Sequence, residues 1–204
     1  MSGWECTVRW RLLASLACAI SLAWPAPGWP QSAQVEQARA AFEKEDYAAA
    51  YTLYKPEAER GAAEAQYRVG LMHKFGWGAE RDHSVAARWF TAAAEQSHAE
   101  AQSELGIYYK DGRGVARDMA KSAAWFLKAS AQGVGIAQLN LGRYYLAGTG
   151  VAKDPVAAYY WLTAAAQNGY IDGMALRAPA AEEMTPEQIK ETNARAKQAP
   201  RKAN

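Results

Sequence analysis

Cysteine is scarce in this sequence. Only two of the 204 residues are cysteines, Cys6 and Cys18, and both lie near the start of the chain. The chain beyond them therefore has no paired cysteines for a disulfide framework, no thiolate ligands for zinc and no cysteine nucleophile. A stretch without cysteine is compatible with an oxidising compartment.

An excess of charge of either sign is also absent. The formal net charge is +2, with 23 Lys and Arg residues against 21 Asp and Glu residues. Proteins that bind nucleic acid or anionic lipid usually carry a marked excess or cluster of basic residues. The composition therefore argues against a nucleic-acid partner.

Long apolar runs are missing as well. The longest runs from Leu12 to Ala23, follows Arg9 and Arg11, and precedes a segment rich in proline and small residues. A membrane-spanning helix needs about 20 apolar residues, whereas this order of features is typical of a secretory signal peptide. We expect residues 1–33 to be a signal peptide and linker, with cleavage near 28–33. We therefore expect a periplasmic or secreted location, without stable membrane insertion after signal removal.

Two other interpretations of this segment remain open. If it stays uncleaved, it would act as an interfacial anchor. A lipoprotein signal would use Cys18, but this cysteine lies inside the apolar run rather than after it.

What the sequence does contain is an internal repeat. Three blocks align without gaps at a constant offset of 36 residues, and repeats of this length are typical of solenoids and related arrays. The columns that are identical in all three blocks are Ala65/Ala101/Ala137, Gln66/Gln102/Gln138, Gly70/Gly106/Gly142, Gly76/Gly112/Gly148, Gly78/Gly114/Gly150, Asp82/Asp118/Asp154, Trp89/Trp125/Trp161 and Ala93/Ala129/Ala165. Chance does not keep tryptophan in register three times at one spacing.

The first half of each block has the pattern of a helix. In the first block this helix covers residues 62–75, and Ala65, Val69 and His73 recur every four residues along one stripe. Gly70 lies inside the helix, where glycine costs about 1 kcal/mol relative to alanine. Its repetition predicts a close approach between helices at this point.

The second half of each block predicts another helix. Gly76 and Gly78 break the first helix, and Asp82 is placed to cap the second. Trp89 and Ala93 then share one apolar face, so we expect the repeated indoles to lie in the core. Because one helical hairpin cannot bury its own apolar stripe, the units are expected to stack.

The blocks resemble the Sel1-like repeat, a relative of the tetratricopeptide repeat. The second block matches best, through Ala101-Gln102, Leu105-Gly106, Tyr109, Gly112, Gly114-Val115, Asp118, Lys121, Trp125 and Lys128-Ala129. The first block departs from the pattern, with His73 for the tyrosine and Ala79 for the valine. The resemblance implies an all-α, right-handed α-solenoid of stacked antiparallel helix pairs that serves as an interaction scaffold.

The regions that flank the repeats are expected to be helical too. Thr185 and Gln188, with Pro186 at the first helical position, predict a capped final helix. The expected domains are the signal peptide and linker (1–33), a degenerate N-terminal helix pair (34–61), three repeats (62–97, 98–133 and 134–169), C-terminal capping helices (170–198) and a disordered tail (199–204).

Partner contacts are expected on the concave face, which the first helices of a curved stack would line. Constant columns serve the fold, so columns that vary at exposed positions are the candidates for recognition. The predicted partner-binding residues are Arg68, Met72, Glu104, Tyr108, Asn140, Arg143 and Tyr144. Tyr108 and Tyr144 are the strongest candidates, because tyrosine is enriched in interfaces. The alternative interpretation is a solvated helix face whose residues drift freely.

The predicted function is an exported scaffold that binds a protein or peptide partner through this face, without catalysis or a cofactor. One alternative is a periplasmic regulator that restrains a membrane sensor kinase. Another is a hydrolase of cell-wall or beta-lactam substrates, since a cysteine-rich branch of the resembled family is linked to beta-lactams. That branch depends on paired cysteines, which these repeats lack.

Overall fold

The computed structural model describes residues 33–201. The predicted signal peptide, with its cleavage near 28–33, lies outside the described residues, and so does the end of the tail, 202–204.

Between residues 33 and 201 the chain is helical and contains no strand. The helices of this part are α1 (Ala33–Glu43), α2 (Tyr47–Glu59), α3 (Ala63–Phe75), α4 (His83–Glu95), α5 (Ala99–Asp111), α6 (Met119–Ala131), α7 (Gly135–Ala147), α8 (Pro155–Gln167), α9 (Asp172–Leu176), α10 (Ala178–Glu182) and α11 (Pro186–Ala196). The first eight form consecutive antiparallel pairs that stack on one another. The predicted right-handed α-solenoid of stacked helix pairs is confirmed.

Capping residues fix where the repeat helices begin and end. Asp82, Asp118 and Asp154 each accept a hydrogen bond from a backbone N–H in the first turn of the second helix, at 2.7 to 3.0 Å. The predicted N-caps are therefore confirmed. The first helices end at glycines in the left-handed conformation, namely Gly76, Gly112 and Gly148.

The glycine in the middle of each first helix makes room for a side chain of the second helix. A Cβ atom on Gly106 would lie 2.7 Å from ring atoms of Phe126, closer than real Cβ contacts allow. The equivalent pairs are Gly70 with Phe90, and Gly142 with Leu162. These three partners are fully buried, and the predicted close approach of the two helices is confirmed.

The repeated indoles are less buried than expected. Trp89, Trp125 and Trp161 are only half-buried. Each borders an apolar cluster that includes residues of the preceding helix pair. The indoles therefore pack on the core, as expected, but are only partly buried in it, because the next residue along each helix is the fully buried one.

A second glycine in each loop lets neighbouring units come close. A Cβ atom on Gly114 would overlap the backbone carbonyl oxygen of His83, the first residue of α4. The same relation joins Gly78 to Tyr47 and Gly150 to Met119, which begin α2 and α6. Since Tyr47 holds the same place as His83 and Met119, α1 and α2 extend the stack by one more pair.

The C-terminal helices cover the exposed side of α8. α9, α10 and α11 all pack against it. Thr185 Oγ1 accepts a hydrogen bond from Gln188 N at 3.2 Å, and Gln188 Oε1 accepts one from Thr185 N at 2.8 Å. The predicted capping box at the start of α11 is thus confirmed.

The start of the tail is packed on the third repeat. Ala199 is buried, and the carbonyl oxygen of Pro200 accepts a hydrogen bond from Gln138 Nε2 at 2.9 Å. The prediction of disorder from residue 199 is therefore wrong for 199–201. A buried amide, Gln138, and a half-buried one, Asn168, offer this short segment hydrogen bonds that its composition alone does not reveal.

Candidate protein-binding cavity

The first helices of the three repeats share a cavity of about 380 Å³. α3, α5 and α7 supply most of its wall, and the turn after α8 closes one end. We call it the first-helix cavity; the side chains that matter below are Tyr67, Glu100, Ser103, Glu104, Ile136 and Tyr170. Two tyrosine rings and two carboxylates beside an apolar side chain make a mixed surface of the kind that recognises polypeptide.

The cavity follows from the repeat register. Glu100, Ser103 and Glu104 are spaced i, i+3 and i+4, so α5 presents them on one face. Tyr67 occupies the same column in α3 as Ser103 in α5, one repeat earlier. The large ring in one unit and the small side chain in the next leave a space between neighbouring helices.

Ser103 contributes an unusual polar atom to this cavity. Its side chain is only 4% exposed, and its hydroxyl oxygen has no hydrogen-bond partner. Buried polar groups in folded proteins are nearly always paired, because an unpaired one costs about 1–3 kcal/mol. The oxygen is itself closed off from solvent, so a ligand in the cavity would reach it only if the side chains around Ser103 shift.

An ion-pair network supports Tyr67 at the edge of the cavity. The Tyr67 ring stacks on His98 with centroids 4.6 Å apart. Glu64 accepts hydrogen bonds from His98 Nε2 at 3.0 Å and from Arg68 Nε at 2.6 Å. The hydrogen bond from His98 and then the one from Arg68 lower the pKa of Glu64 to about 2, although burial opposes them. Burial, with Glu104 nearby, raises the pKa of Tyr67 to about 12, so its phenol stays protonated.

The network predicts a loss of stability in acid. Because the pKa of Glu64 is lowered in the fold, its contribution is complete above its ordinary value of 4.5 and is lost as the pH falls towards 2. Chemical denaturation at a series of pH values should show stability falling through this window. Glu64→Gln should flatten the fall, whereas the exposed Glu43→Gln should not. Equal slopes for the two variants would contradict the assignment.

Glu104 is held by an ion pair between units. Lys74 Nζ of the first repeat lies 2.8 and 2.7 Å from the two carboxylate oxygens of Glu104 in the second. Both side chains are largely buried. The pair neutralises one carboxylate at the cavity wall and fixes its position.

The structure separates the seven predicted partner-binding residues. Only Glu104 lines the first-helix cavity. Arg68 is half-buried and bound to Glu64, while Arg143 is exposed elsewhere on α7. Asn140 is 8% exposed, and its amide donates to the Ile136 carbonyl at 2.8 Å.

The remaining three predicted residues, Met72, Tyr108 and Tyr144, are core residues. Met72 and Tyr108 are fully buried, and Tyr144 is 6% exposed. The ring of Tyr108 packs edge-on against Phe90 with centroids 5.3 Å apart, and burial raises the pKa of its hydroxyl. The expectation that these side chains are exposed to a partner is wrong.

The error has a simple geometric origin. The predicted stripe ran through Ala65, Val69 and His73 at intervals of four, but a helix turns once every 3.6 residues. Seven residues after Ala65, the chain has turned almost twice, which brings Met72 back to the buried side. His73 is instead partly exposed and contacts the Tyr51 hydroxyl at 3.2 Å.

Sequence reasoning missed Tyr67, Glu100, Ser103, Ile136 and Tyr170. A signal was present, because the column of Tyr67 and Ser103 varies between repeats and lies three residues before the next constant glycine. Variation alone does not place this column on an open side, because Ser103 and Leu139 are buried and Tyr67 is half-buried.

The regular placement of caps, glycines and buried rings every 36 residues defines one repeated unit. A family model described as the Sel1 repeat matches residues 63–98, 99–134 and 135–170, which is more than half of the chain. The chain belongs to the Sel1-repeat family. Sel1 repeats typically mediate protein–protein interactions and generally form scaffolds without catalytic activity.

Solved structures agree with this assignment. One similar structure is a protective antigen present in uropathogenic Escherichia coli strains, which displays an SLR fold. It shares 31% identity with a TM-score of 0.70, over 81% of this chain and 36% of its own length. A Sel1 repeat protein from Oxalobacter formigenes shares the fold at 24% identity and a TM-score of 0.68, over 80% of this chain and 70% of that one. A search of curated proteins finds no match.

A membrane-spanning helix and a metal-binding cluster are both absent from the part of the chain that the structure describes. None of its helices has the length and apolar character needed to cross a bilayer. Residues 33–201 also hold no cluster of three or more His, Cys, Asp or Glu side chains arranged to bind a metal ion.

Proposed function

We propose that this Sel1-repeat protein is an exported scaffold that binds a protein partner through the first-helix cavity. The unpaired, buried hydroxyl of Ser103 is the observation that carries the proposal. When the side chains around it shift to admit a ligand, this hydroxyl gains a hydrogen bond without giving up an internal one.

The walls of the cavity suggest the chemistry of the partner. Tyr67 and Tyr170 offer flat apolar area with polar tips, and Ile136 adds an aliphatic surface. Glu100 and Glu104 add carboxylate oxygens on one side, although Glu104 is already paired with Lys74 and Glu100 lies 3.4 Å from His98 Nδ1. An extended polypeptide segment that presents backbone N–H groups to these oxygens fits this combination better than an acidic one.

Export is the second part of the proposal. It rests on the order of basic residues, apolar run and proline-rich segment at the start of the chain. Sequencing of the N-terminus after expression should place the first residue within or just after 28–33. An uncut chain retained in the cytoplasm would contradict export. No described feature favours the alternative role of restraining a membrane sensor kinase.

Replacing Ser103 tests the cavity directly. Ser103→Ala removes only the unpaired hydroxyl, so stability should stay within about 1 kcal/mol of the original or rise slightly. Affinity for the partner captured from an envelope extract should fall about two- to tenfold. Quantitative mass spectrometry of the captured proteins, with thermal melts of each variant, measures both effects.

The chain supplies a matched control for this experiment. Ser130 also has a buried hydroxyl without a hydrogen-bond partner, but it lies on α6 and does not line the cavity. Ser130→Ala should leave capture unchanged. If both variants lose the same partners, or neither does, the hydroxyl of Ser103 has no part in recognition.

A further inference from the structure

A pair of side-chain amides recurs in every repeat. In the second repeat, Gln132 Nε2 donates to Gln102 Oε1 at 2.8 Å, and Gln102 Nε2 donates to the Ala94 carbonyl at 3.1 Å. The equivalent pairs are Gln96 with Gln66, at 2.7 Å, and Asn168 with Gln138, at 2.7 Å. Each pair joins a residue that follows a second helix to a buried glutamine near the start of a first helix.

In the third repeat this amide pair binds a peptide carbonyl. Gln138 Nε2 uses one N–H for the Ser130 carbonyl at 3.3 Å and donates to the Pro200 carbonyl at 2.9 Å. Asn168 Nδ2 lies 3.4 Å from the same oxygen. Beside them, Arg201 donates to Gln167 Oε1 at 3.0 Å. The chain's own Ala-Pro-Arg segment thus occupies the third site.

In the second repeat the corresponding place is an open groove of about 500 Å³. We call it the amide groove; the side chains used here are Glu95, Gln102, Trp125, Lys128 and Gln132. Gln102 is 3% exposed and makes one donor bond through Nε2, to Ala94. An amide nitrogen has two N–H groups, so the second remains for a ligand carbonyl.

The charged groups around the amide groove differ from those at the third site. Arg201 is received there by an amide oxygen of α8, whereas Glu95 provides a carboxylate at the wall of the amide groove. Lys128 Nζ lies 3.9 Å over the Trp125 ring, which holds its charge beside the indole. The second-repeat equivalent of Gln167 is Ala131, so in the same pose the residue after the bound proline would lie near Ala131 rather than near a carboxylate.

We propose that the amide groove of the second repeat binds an extended segment of a partner protein in which a proline follows a small residue. The proline carbonyl accepts from Gln102 and Gln132, as Pro200 does from Gln138 and Asn168. Proline fixes an extended backbone, so the segment loses little conformational freedom on binding. The segment comes from another protein, because the tail of this chain is engaged on its own third repeat. This site is separate from the first-helix cavity and does not depend on its function.

A titration of the full chain with a peptide of sequence Lys-Gln-Ala-Pro-Arg tests the site. In a ¹⁵N spectrum, the side-chain amide signals of Gln102 and Gln132 should shift at millimolar peptide or below. The tethered tail competes for the third site at high effective concentration, so Gln138 and Asn168 should shift little. Shifts confined to Gln138 and Asn168, or no shifts at all, would overturn the proposal.

Two variants at exposed, equivalent residues distinguish an effect on binding from an effect on folding. Gln132→Ala and Gln96→Ala each remove a donor to a buried glutamine, but only Gln132 lines the amide groove. Gln132→Ala should weaken peptide binding about two- to tenfold, and Gln96→Ala should leave it unchanged. Equal losses of peptide binding in the two variants would overturn the proposal. Self-association of the chain that Gln132→Ala abolishes would also overturn it, because the occupant would then be a second copy of this chain. Ser103→Ala should not affect peptide binding, so the two sites can fail independently.

Discussion

Replacing Gly114 by alanine is expected to lower the free energy of unfolding by about 2–5 kcal/mol. Gly114 has a φ of +64°, which an alanine adopts at a cost of about 1–2 kcal/mol. The added Cβ would also overlap the carbonyl oxygen of His83 in the preceding unit. That oxygen belongs to the backbone, so relief requires the two repeats to move apart. Urea denaturation followed by circular dichroism measures the loss.

Gly112 provides the control for this prediction. It lies in the same loop with a φ of +72°, but the nearest atom to an added Cβ is Arg117 Cβ at 3.4 Å. Gly112→Ala should therefore lose only the conformational part, about 1–2 kcal/mol. Equal losses at Gly112 and Gly114 would mean that the close approach between repeats has no energetic importance.

Removal of the buried ring in the second repeat should have a comparable effect. Phe126→Ala is expected to lower the free energy of unfolding by about 3–5 kcal/mol. Phe126 is fully buried, packs against Gly106, and meets the Tyr144 ring edge-on at 5.8 Å. The glycine cannot fill the space that the ring leaves, so a cavity remains. Calorimetry on the purified variant measures the change.

The neighbouring residue shows whether burial is the cause. Leu127 lies on the same helix but is 44% exposed. Leu127→Ala should change the free energy of unfolding by about 0.5 kcal/mol or less. If the two variants melted alike, the assignment of Phe126 to the core would be wrong.

The fold could be predicted because its determinants are local and repeated. Asp82 and its equivalents reveal where the second helices begin, since an N-cap needs only its own first turn. Gly76 and Gly70 identify a helix end and a close approach through backbone constraints that few other residues satisfy. Each signal recurs every 36 residues, so one unit confirms the next.

The candidate site could not be predicted as well, because exposure depends on which side of each helix meets its neighbour. An error of one residue in placing the buried stripe assigned His73 to the core and Met72 to the surface. The same error assigned Tyr108 and Tyr144, which are core residues, to the surface. The unpaired hydroxyl of Ser103 cannot be predicted from the sequence, because it depends on whether side chains of the neighbouring helices supply a hydrogen-bond partner. The binding of Pro200 to Gln138 is a contact between residues 62 positions apart.

Repeats that look equivalent in sequence also differ in which of their binding surfaces remain unoccupied. The amide pair is constant, yet only the third repeat has the chain's own tail placed upon it. Tyr67 and Ser103 share a column, yet one is a half-buried ring at the first-helix cavity and the other holds a buried, unpaired hydroxyl beside it. The constant columns build one scaffold, and the neighbours of each unit decide where a partner can enter.

Site-specific photo-crosslinking tests the role of the first-helix cavity most directly. A photoreactive phenylalanine analogue would replace Tyr170 at the cavity, or Phe75, which is comparably exposed but does not line it. The account predicts discrete crosslinked protein adducts from position 170 in intact cells and none from position 75. Adducts from position 75 alone, or the same adducts from both positions, would contradict it.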